Sequence, residues 1–468
     1  MTQIIDSIQN KNNSTKKRRR RRKRLPDGEF NTIIEENLSH DGRGIAKING
    51  KTHFILNSLP NEEVEFKYLS NKSKFSEGIA TKIINNPNKI RETPKCASFN
   101  ICGGCSMQHI KSADQAKLKQ ELVQELLTHN NAIPENILSP LTADPWGYRH
   151  KARIGVKYVA KKGGTLVGFR ELNTGYIVDM HNCPVLAPEV GENIDTLREF
   201  ITNLDARAEI PQIEIAVTQD QTALIFRHLQ PLSGSDLDKL SKLSQDKNWL
   251  IYLQPKGPDS IKLLNTKNNN LLNNDLLNYY LPEFDLKFHF HPSDFTQVNP
   301  AINQKMLNQA INLLEINKQD NILDLFSGIG NFTLPIAQKA NSVIGIEGCE
   351  KLTEKAKFNA QSNNINNASF ITANLFEPEK VIKQIKKDHP NINKICLDPP
   401  RDGAIELINN IEILNPDKIL YVSCNPQTLA RDAKILCDEK NYKITHAGIM
   451  DMFPHTKHIE TMAVFSKK

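Results

Sequence analysis

From Asn321 onward, apolar runs recur at a spacing that few architectures satisfy. ILDLF, SVIGIE, SFITANLF, KICLDPP and KILYVSC are each followed by a segment of helical pattern. Strands alternating with helices predict a parallel sheet with helices on both faces, because a parallel connection must cross back over the sheet and a helix is its usual form. Ligands of such sheets bind at the carboxyl ends of the strands, so the residues that end these runs are the ones to read for chemistry. A last apolar run, TMAVF, is placed to close the sheet.

The first run turns into DLFSGIGNF, with Asp324, Gly328 and Gly330 at the strand-to-helix bend. A dinucleotide fingerprint wants a third small residue after these glycines, but Thr333 stands there, which points to a ligand without a diphosphate. Glu347 ends VIGIE, where a carboxylate can accept hydrogen bonds from both hydroxyls of a ribose. Glycine turn and acid together form the adenosyl signature of class I methyltransferases; a generic nucleotide site, or a plain surface Glu, is the alternative.

The fourth run ends in LDPPRDG and the fifth in SCNP, so Asp398 and Cys424 project from the same edge. A thiol has a pKa of about 8.5, and its thiolate is a strong nucleophile. Carbon 5 of uracil is too weak a nucleophile to take a sulfonium methyl directly. Thiolate addition at carbon 6 makes carbon 5 enolate-like, and after methylation a base must remove the carbon 5 proton. Glu460, in HTKHIETM just before TMAVF, is the candidate base, although position alone does not prefer it to another late acid. His455 and His458 lack the further ligands a metal needs and stay unassigned.

Upstream, residues 25–84 alternate apolar and polar residues in short runs broken by DGRG, ING and LPNE, a pattern of a small β-barrel. Residues 90–290 form a mixed α/β region with a helical stretch, SADQAKLKQELVQELLTHN. Its Asn- and Leu-rich part, LLNTKNNNLLNNDLLNYYL, reads as helix plus loop. It opens on Cys96, Cys102 and Cys105, spaced C-x5-C-x2-C among glycines, with Cys183 as the remaining cysteine of the region. Four such thiols suit zinc or a four-iron cluster, and spacing does not choose between them. Cys349, Cys396 and Cys437 read as packing or incidental residues.

Residues 1–24 carry ten Lys or Arg against one acid, so the net charge of +7 is concentrated there. Nine consecutive cations, 16–24, cannot bury themselves, and phosphate is their natural partner. A solubilising extension is the plainer alternative.

DLFSGIGNFTLP, LDPPRDG, YVSCNPQTLARD and DMFPHTKHIETM together resemble the RNA uracil-5-methyltransferase family, and residues 25–468 align in outline with its 23S ribosomal RNA branch. GRGIAKINGKTHFILNSLPNEEVEF likewise resembles TRAM, an RNA-binding barrel of the oligonucleotide-binding type. The resemblance implies a TRAM β-barrel over 25–84, a central α/β domain with an iron-sulfur site over 90–290, and a class I, Rossmann-like methyltransferase domain over 291–468. It implies Cys424 as nucleophile and Glu460 as base. Gln297, Phe326, Asn331, Glu347, Asn374 and Asp398 would line an S-adenosyl-L-methionine site, and Cys96, Cys102, Cys105 and Cys183 would hold a [4Fe-4S] cluster.

The implied partner is 23S ribosomal RNA, the implied state a monomer. Apolar residues at 39% and charged residues at 24% are those of a folded soluble protein. No stretch approaches the ~18 to 20 apolar residues that span a bilayer, and no secretory signal is evident, so a cytoplasmic location is expected. The rival readings are a cytosine-5 methyltransferase, a non-catalytic RNA-binding assembly factor and an iron-sulfur redox enzyme. SCNP with a late Glu argues against the first, intact Cys424 and Glu460 against the second, and the absence of a complete flavin or nicotinamide fingerprint against the third.

Overall fold

A computed structural model describes residues 25–36, 38–39, 41–264 and 276–468. The basic run 16–24 therefore lies outside the described residues, as does 265–275 of the Asn- and Leu-rich segment. The chain divides into two compact units, one holding Arg43–Pro87 and the described residues before Asn37, the other holding Leu38–Gly42 and Asn88–Lys468. No described helix is long and apolar enough to cross a membrane.

The first unit is a single five-stranded sheet, in the order Phe30–Ile33, Glu63–Asn71, Phe75–Asn85, Lys51–Leu56, Gly44–Ile48. The alternation seen in the sequence is its cause: in EVEFKYLSN, Val64 and Phe66 are buried while their neighbours face outward. They pack with Ile34, Ala46, Ile55 and Ala80. Register shifts along Glu63–Asn71 bend the sheet. Past the first strand, the Glu35 N–H donates to the Ile45 carbonyl at 2.7 Å, which brings the two edges of the sheet together.

The second unit holds two larger sheets. One has six strands, in the order Lys262–Leu263, Trp249–Gln254, Thr222–Arg227, Gln212–Val217, Lys151–Val159, Gly164–Gly168. A hairpin, Leu277–Leu281 with Leu286–Phe290, follows it. Thus the Asn- and Leu-rich segment, expected as helix plus loop, begins and ends in strands where it is described. In LLNYYL the β-favouring tyrosines and the pairing of Leu277–Leu281 with Leu286–Phe290 outweigh the spacing of the leucines.

The C-terminal sheet contains the strands read from the sequence, β1 (Asn321–Leu325), β2 (Ser342–Glu347), β3 (Ala368–Thr372), β4 (Lys394–Leu397), β5 (Lys418–Ser423) and β7 (Glu460–Lys467), together with one not read there, β6 (Tyr442–Met450). Their order is β3-β2-β1-β4-β5-β7-β6, with the first five parallel and β7 antiparallel to both β5 and β6. Leu323, Ile344, Ile395, Leu397 and Tyr421 are buried on one side, and Ile322, Val343, Cys396, Leu420 and Val422 on the other. Burial on both faces is what makes these strands continuously apolar. Asn136–Ile137, from the preceding region, adds an eighth strand beside β6. The predicted helix before it runs over Ser112–His129 and packs on the same sheet.

Candidate active site at the carboxyl edge

Because β1 to β5 are parallel, their carboxyl ends share one edge. Phe326 follows β1, Glu347 ends β2, Asn374 lies just past β3, Asp398 directly follows β4 and Cys424 directly follows β5. β7 runs the other way, so its first residue, Glu460, stands at that edge too. The ladder fixes the pairing: Ser423 of β5 registers with Thr461 of β7. Cys424 and Glu460 each stand one residue beyond that pair, on the same side of it. Their charges interact strongly enough that Glu460, with Asp398, helps to raise the Cys424 thiol.

Cys424 is half-buried and lines a cavity of about 260 Å³ with Arg401, Asn425, Gln427, Lys457 and His458. It immediately precedes the cap of the helix Pro426–Asp438, where Asn425 Oδ1 accepts from the Gln427 N–H at 3.2 Å. A helix N-terminus favours thiolate. Burial and the two carboxylates prevail, and the thiol is pushed up to about 11, with Arg401 acting in the opposite sense. Asn425 Nδ2 donates to the Arg401 carbonyl at 3.0 Å, tying the cysteine's loop to LDPPRDG. Gly403 closes that loop with φ +77°, and a Cβ there would meet Arg431 Nη2 at 2.7 Å.

Burial also raises the carboxyl of Glu460 well above its ordinary range; the Asp398 charge adds to this and Arg401 opposes it. Asp398 is raised by burial to about 6. Asp324, within β1, is raised by burial to about 7, although the Thr333 hydroxyl donates to it. This bond gives Thr333 a role, at the position where the dinucleotide pattern fails. The acids Asp324, Asp398 and Glu347 are close enough for the charges of the last two to raise the first.

The glycine turn is held rather than loose. The Ser327 N–H donates to the Ile346 carbonyl at 3.0 Å, and the Gly328 N–H to Glu347 Oε2 at 3.1 Å. Glu347 Oε1 accepts from the Cys349 N–H at 3.0 Å, so the carboxylate braces the turn and keeps lone pairs for a ligand. Phe326 has φ +66°, a left-handed conformation that costs a bulky residue about 1–3 kcal/mol and persists only where the surroundings impose it. A Cβ on Gly328 would meet nothing within 4 Å, leaving the backbone open to a ligand.

The remaining expected cofactor residues stand differently. Asn331 is bonded on both sides: its Oδ1 accepts from Tyr279 Oη at 3.0 Å and Asn303 Nδ2 at 3.1 Å, and its Nδ2 donates to Asn303 Oδ1 at 2.9 Å. It joins the hairpin and the helix Pro300–Leu314 to the glycine turn. Gln297 lines a separate small cavity with His150, Thr218, Tyr279 and Asn303, and so meets Asn331 only through shared neighbours. Asn374 turns its Oδ1 back to accept from the Phe376 N–H at 3.0 Å.

The four cysteines of the central region do converge: Cys96, Cys102, Cys105 and Cys183 line one cavity with Phe99, Gln108, Arg149, Phe169 and Met180. Among the described residues no three His, Cys, Asp or Glu side chains are grouped to hold a metal ion, so the thiols surround a space and do not meet at a point. Burial pushes Cys102 up to about 11 and Cys105 up to about 12. Gln108 Oε1 accepts from the Cys96 N–H at 3.1 Å, and its side chain also interacts with the Cys105 thiol. Four thiols with an amide beside one of them fit an inorganic group held by sulfur ligands.

Of the two histidines, His458 lines the cavity of Cys424, and His455 is wholly buried against Trp146 with ring centroids 4.0 Å apart. Arg401 and Thr333 were the functional neighbours that motif reading passed over. Arg401 had a visible signal, standing three residues after Asp398 in a loop already marked for chemistry.

Fold and edge together define a methyltransferase-type α/β protein. A solved structure, the Pyrococcus abyssi tRNA (uracil-54, C5)-methyltransferase in complex with S-adenosyl-L-homocysteine, shares the fold with TM-score 0.68, at 22% identity over 93% of this chain and 100% of that one. The family described as tRNA (Uracil-5-)-methyltransferase matches residues 260–468. Two proteins named 23S rRNA (uracil(1939)-C(5))-methyltransferase RlmD match nearly end to end. One, from Legionella pneumophila (strain Lens), is 44% identical over 92% of this chain and 96% of its own. The other, from Francisella tularensis subsp. novicida (strain U112), is 47% identical over 95% and 98%. The chain belongs to this family of uracil-C5 RNA methyltransferases.

Proposed function

We propose that the protein methylates carbon 5 of a uridine in 23S rRNA, using S-adenosyl-L-methionine. The observation that carries this reading is the nearness of Cys424 and Glu460, each one residue beyond the Ser423–Thr461 pair of β5 and β7, at the edge that bears the glycine turn. The printed names of the relatives supply the class of RNA.

In this reading the Cys424 sulfur gives up its proton and bonds to carbon 6, and the electrons of the 5,6 double bond move to the ring carbonyl as an enolate. Arg401, beside the thiol, favours the developing anions. S-adenosylmethionine, when bound, supplies an electrophilic methyl that carbon 5 takes while the departing bond's electrons stay on the donor sulfur. Glu460 as carboxylate then removes the carbon 5 proton. The double bond re-forms, the carbon–sulfur bond breaks, and Cys424 leaves as thiolate. Glu347, Phe326, Asp398, Asn374, Asn331 and Gln297 are assigned to the cofactor's surroundings, with Asn331 acting through the joint it makes to Tyr279 and Asn303.

The same reading takes Cys96, Cys102, Cys105 and Cys183 as ligands of a [4Fe-4S] cluster, supported by the cavity they surround. It takes the five-stranded unit as a TRAM-type RNA-binding barrel, supported by the joined sheet edges. The boundaries 25–84, 90–290 and 291–468 are retained as functional divisions.

Mass spectrometry of nuclease-digested 23S rRNA, after incubation with labelled cofactor, tests the proposal. Labelled 5-methyluridine is expected. Labelled 5-methylcytidine would move the protein to the cytosine class, and no product on any RNA would remove the enzyme reading in favour of an assembly factor.

A further inference from the structure

Glu460 is the last pair of the β6–β7 ladder, registered with Met450, and beyond it no ladder holds the chain. Its approach is set by residues 451–459, and these are tied to the region that follows the cysteines. At their centre His455 has φ +64°, a left-handed conformation rare for a residue with a side chain. Three backbone bonds impose it. The His455 carbonyl accepts from the N–H groups of Ser106 at 2.9 Å and Met107 at 3.0 Å, the two residues directly after Cys105. The His455 N–H donates to Gln115 Oε1 at 2.7 Å.

Gln115 closes the arrangement. It is wholly buried, and its Nε2 donates to the carbonyls of Met107 at 3.1 Å and Ile110 at 2.7 Å. One side-chain amide therefore grips the cysteine loop and the approach to Glu460 at once. Lys119, one turn along the same helix, donates to Asp451 Oδ1 at 2.7 Å and to the Phe453 carbonyl at 3.1 Å. Tyr148 Oη donates to the Pro454 carbonyl at 3.0 Å, and Trp146 covers the His455 ring.

We propose that Gln115 is a positioning residue for Glu460, acting through the His455 backbone, and that it makes the cysteine loop and the proton-removing carboxylate one mechanical unit. This rests on the assignment of Cys424 and Glu460 as nucleophile and base. A displaced carboxylate should slow only the last step, leaving thiol addition and methyl transfer nearly intact, so loss of Gln115 has a signature distinct from general destabilisation.

The test uses full-length Gln115→Leu protein, a 23S rRNA fragment and methyl-labelled cofactor, resolved on denaturing gels. Turnover should fall on the order of 10-fold or more, while labelled RNA accumulates covalently on the protein. Gln115→Glu, which keeps the oxygen that the His455 N–H needs but sets an acceptor against the Met107 and Ile110 carbonyls, should behave like Gln115→Leu, and wild-type turnover in it would overturn the joint role of the amide. Turnover and adduct falling together, or neither changing, would overturn the proposal. If circular dichroism shows that Gln115→Leu does not fold, Trp146→Leu replaces it. A smaller rise of the same adduct supports the proposal, and none overturns it. Wild-type protein giving neither product nor adduct would instead defeat the uracil assignment, which separates the two failures.

Discussion

Cys424 and the group of Cys96, Cys102, Cys105 and Cys183 share a residue type and an electrostatic outcome, yet they sit in opposite surroundings. Burial raises Cys424 and Cys102 alike to about 11. What differs is the company. Cys424 faces Arg401, Lys457, His458 and two carboxyls in a cavity of about 260 Å³. Cys102 and Cys183 are 8% and 7% exposed, among Phe99, Phe169, Met180 and Val185, with Arg149 as the charged side chain that lines their cavity. A raised thiol is thus no sign of function by itself. Access and the charges close by separate a nucleophile from a set of ligands.

The largest effect that could break this comparison concerns the nucleophile. Cys424→Ala should lower turnover on the order of 10⁴-fold or more and abolish any covalent RNA adduct, while thermal unfolding stays within a few degrees of wild type, because the side chain is half-exposed. A large drop in stability would mean that Cys424 belongs with the buried set. Next in size, Glu460→Gln should lower turnover by about 10² to 10⁴-fold and let methylated adduct accumulate, read by denaturing gel and mass spectrometry. Normal turnover would show that another group removes the proton.

Cys105→Ser should have the reverse profile. The visible absorption expected of an anaerobically purified iron-sulfur protein should diminish, and stability should fall by a few kcal/mol in urea titrations, with residual methyl transfer in the folded fraction. An unchanged spectrum together with unchanged stability would remove the ligand assignment.

The smallest effect is electrostatic. Asp324 and Asp398 are raised to about 7 and about 6, above their unfolded value of about 3.9. Groups raised in this way contribute stability that is fully present below about pH 4 and is lost as pH rises through about 6 to 7. Asp398→Asn, which cannot ionise, should flatten that loss by about 1 kcal/mol or more, measured as the unfolding midpoint between pH 4 and 8. Activity should move the other way, rising with pH, since both the Cys424 thiol and the Glu460 carboxyl must lose protons. A rate that falls over this range would contradict the assigned roles.

Much of this was legible in the chain. The runs ILDLF, SVIGIE, KICLDPP and KILYVSC became β1, β2, β4 and β5 because continuous apolarity over four to six residues is what two-sided burial of a parallel strand demands, while SFITANLF became the edge strand β3, of which only Phe370 is buried. Glu347, Asp398 and Cys424 could be placed at one edge for the same reason. The Asn- and Leu-rich segment was misread in its described part, since regularly spaced leucines resemble a helix face until their partners are known. Asn331 and Asn374 carried family motifs, but only their bonds to Tyr279, Asn303 and the Phe376 backbone reveal how they are held.

Periodicity and strand-end chemistry are properties of neighbouring residues, so the sequence by itself determined the parallel sheet and the edge at which Glu347, Asp398 and Cys424 stand. The tertiary structure alone decided which distant groups meet. It brought Glu460 near Cys424 through the antiparallel pairing of β5 and β7, Cys183 to the loop of Cys96, and Gln115 to the backbone of His455. Such pairings depend on chain closure over tens to hundreds of residues, and no local pattern encodes where a segment that far away will arrive.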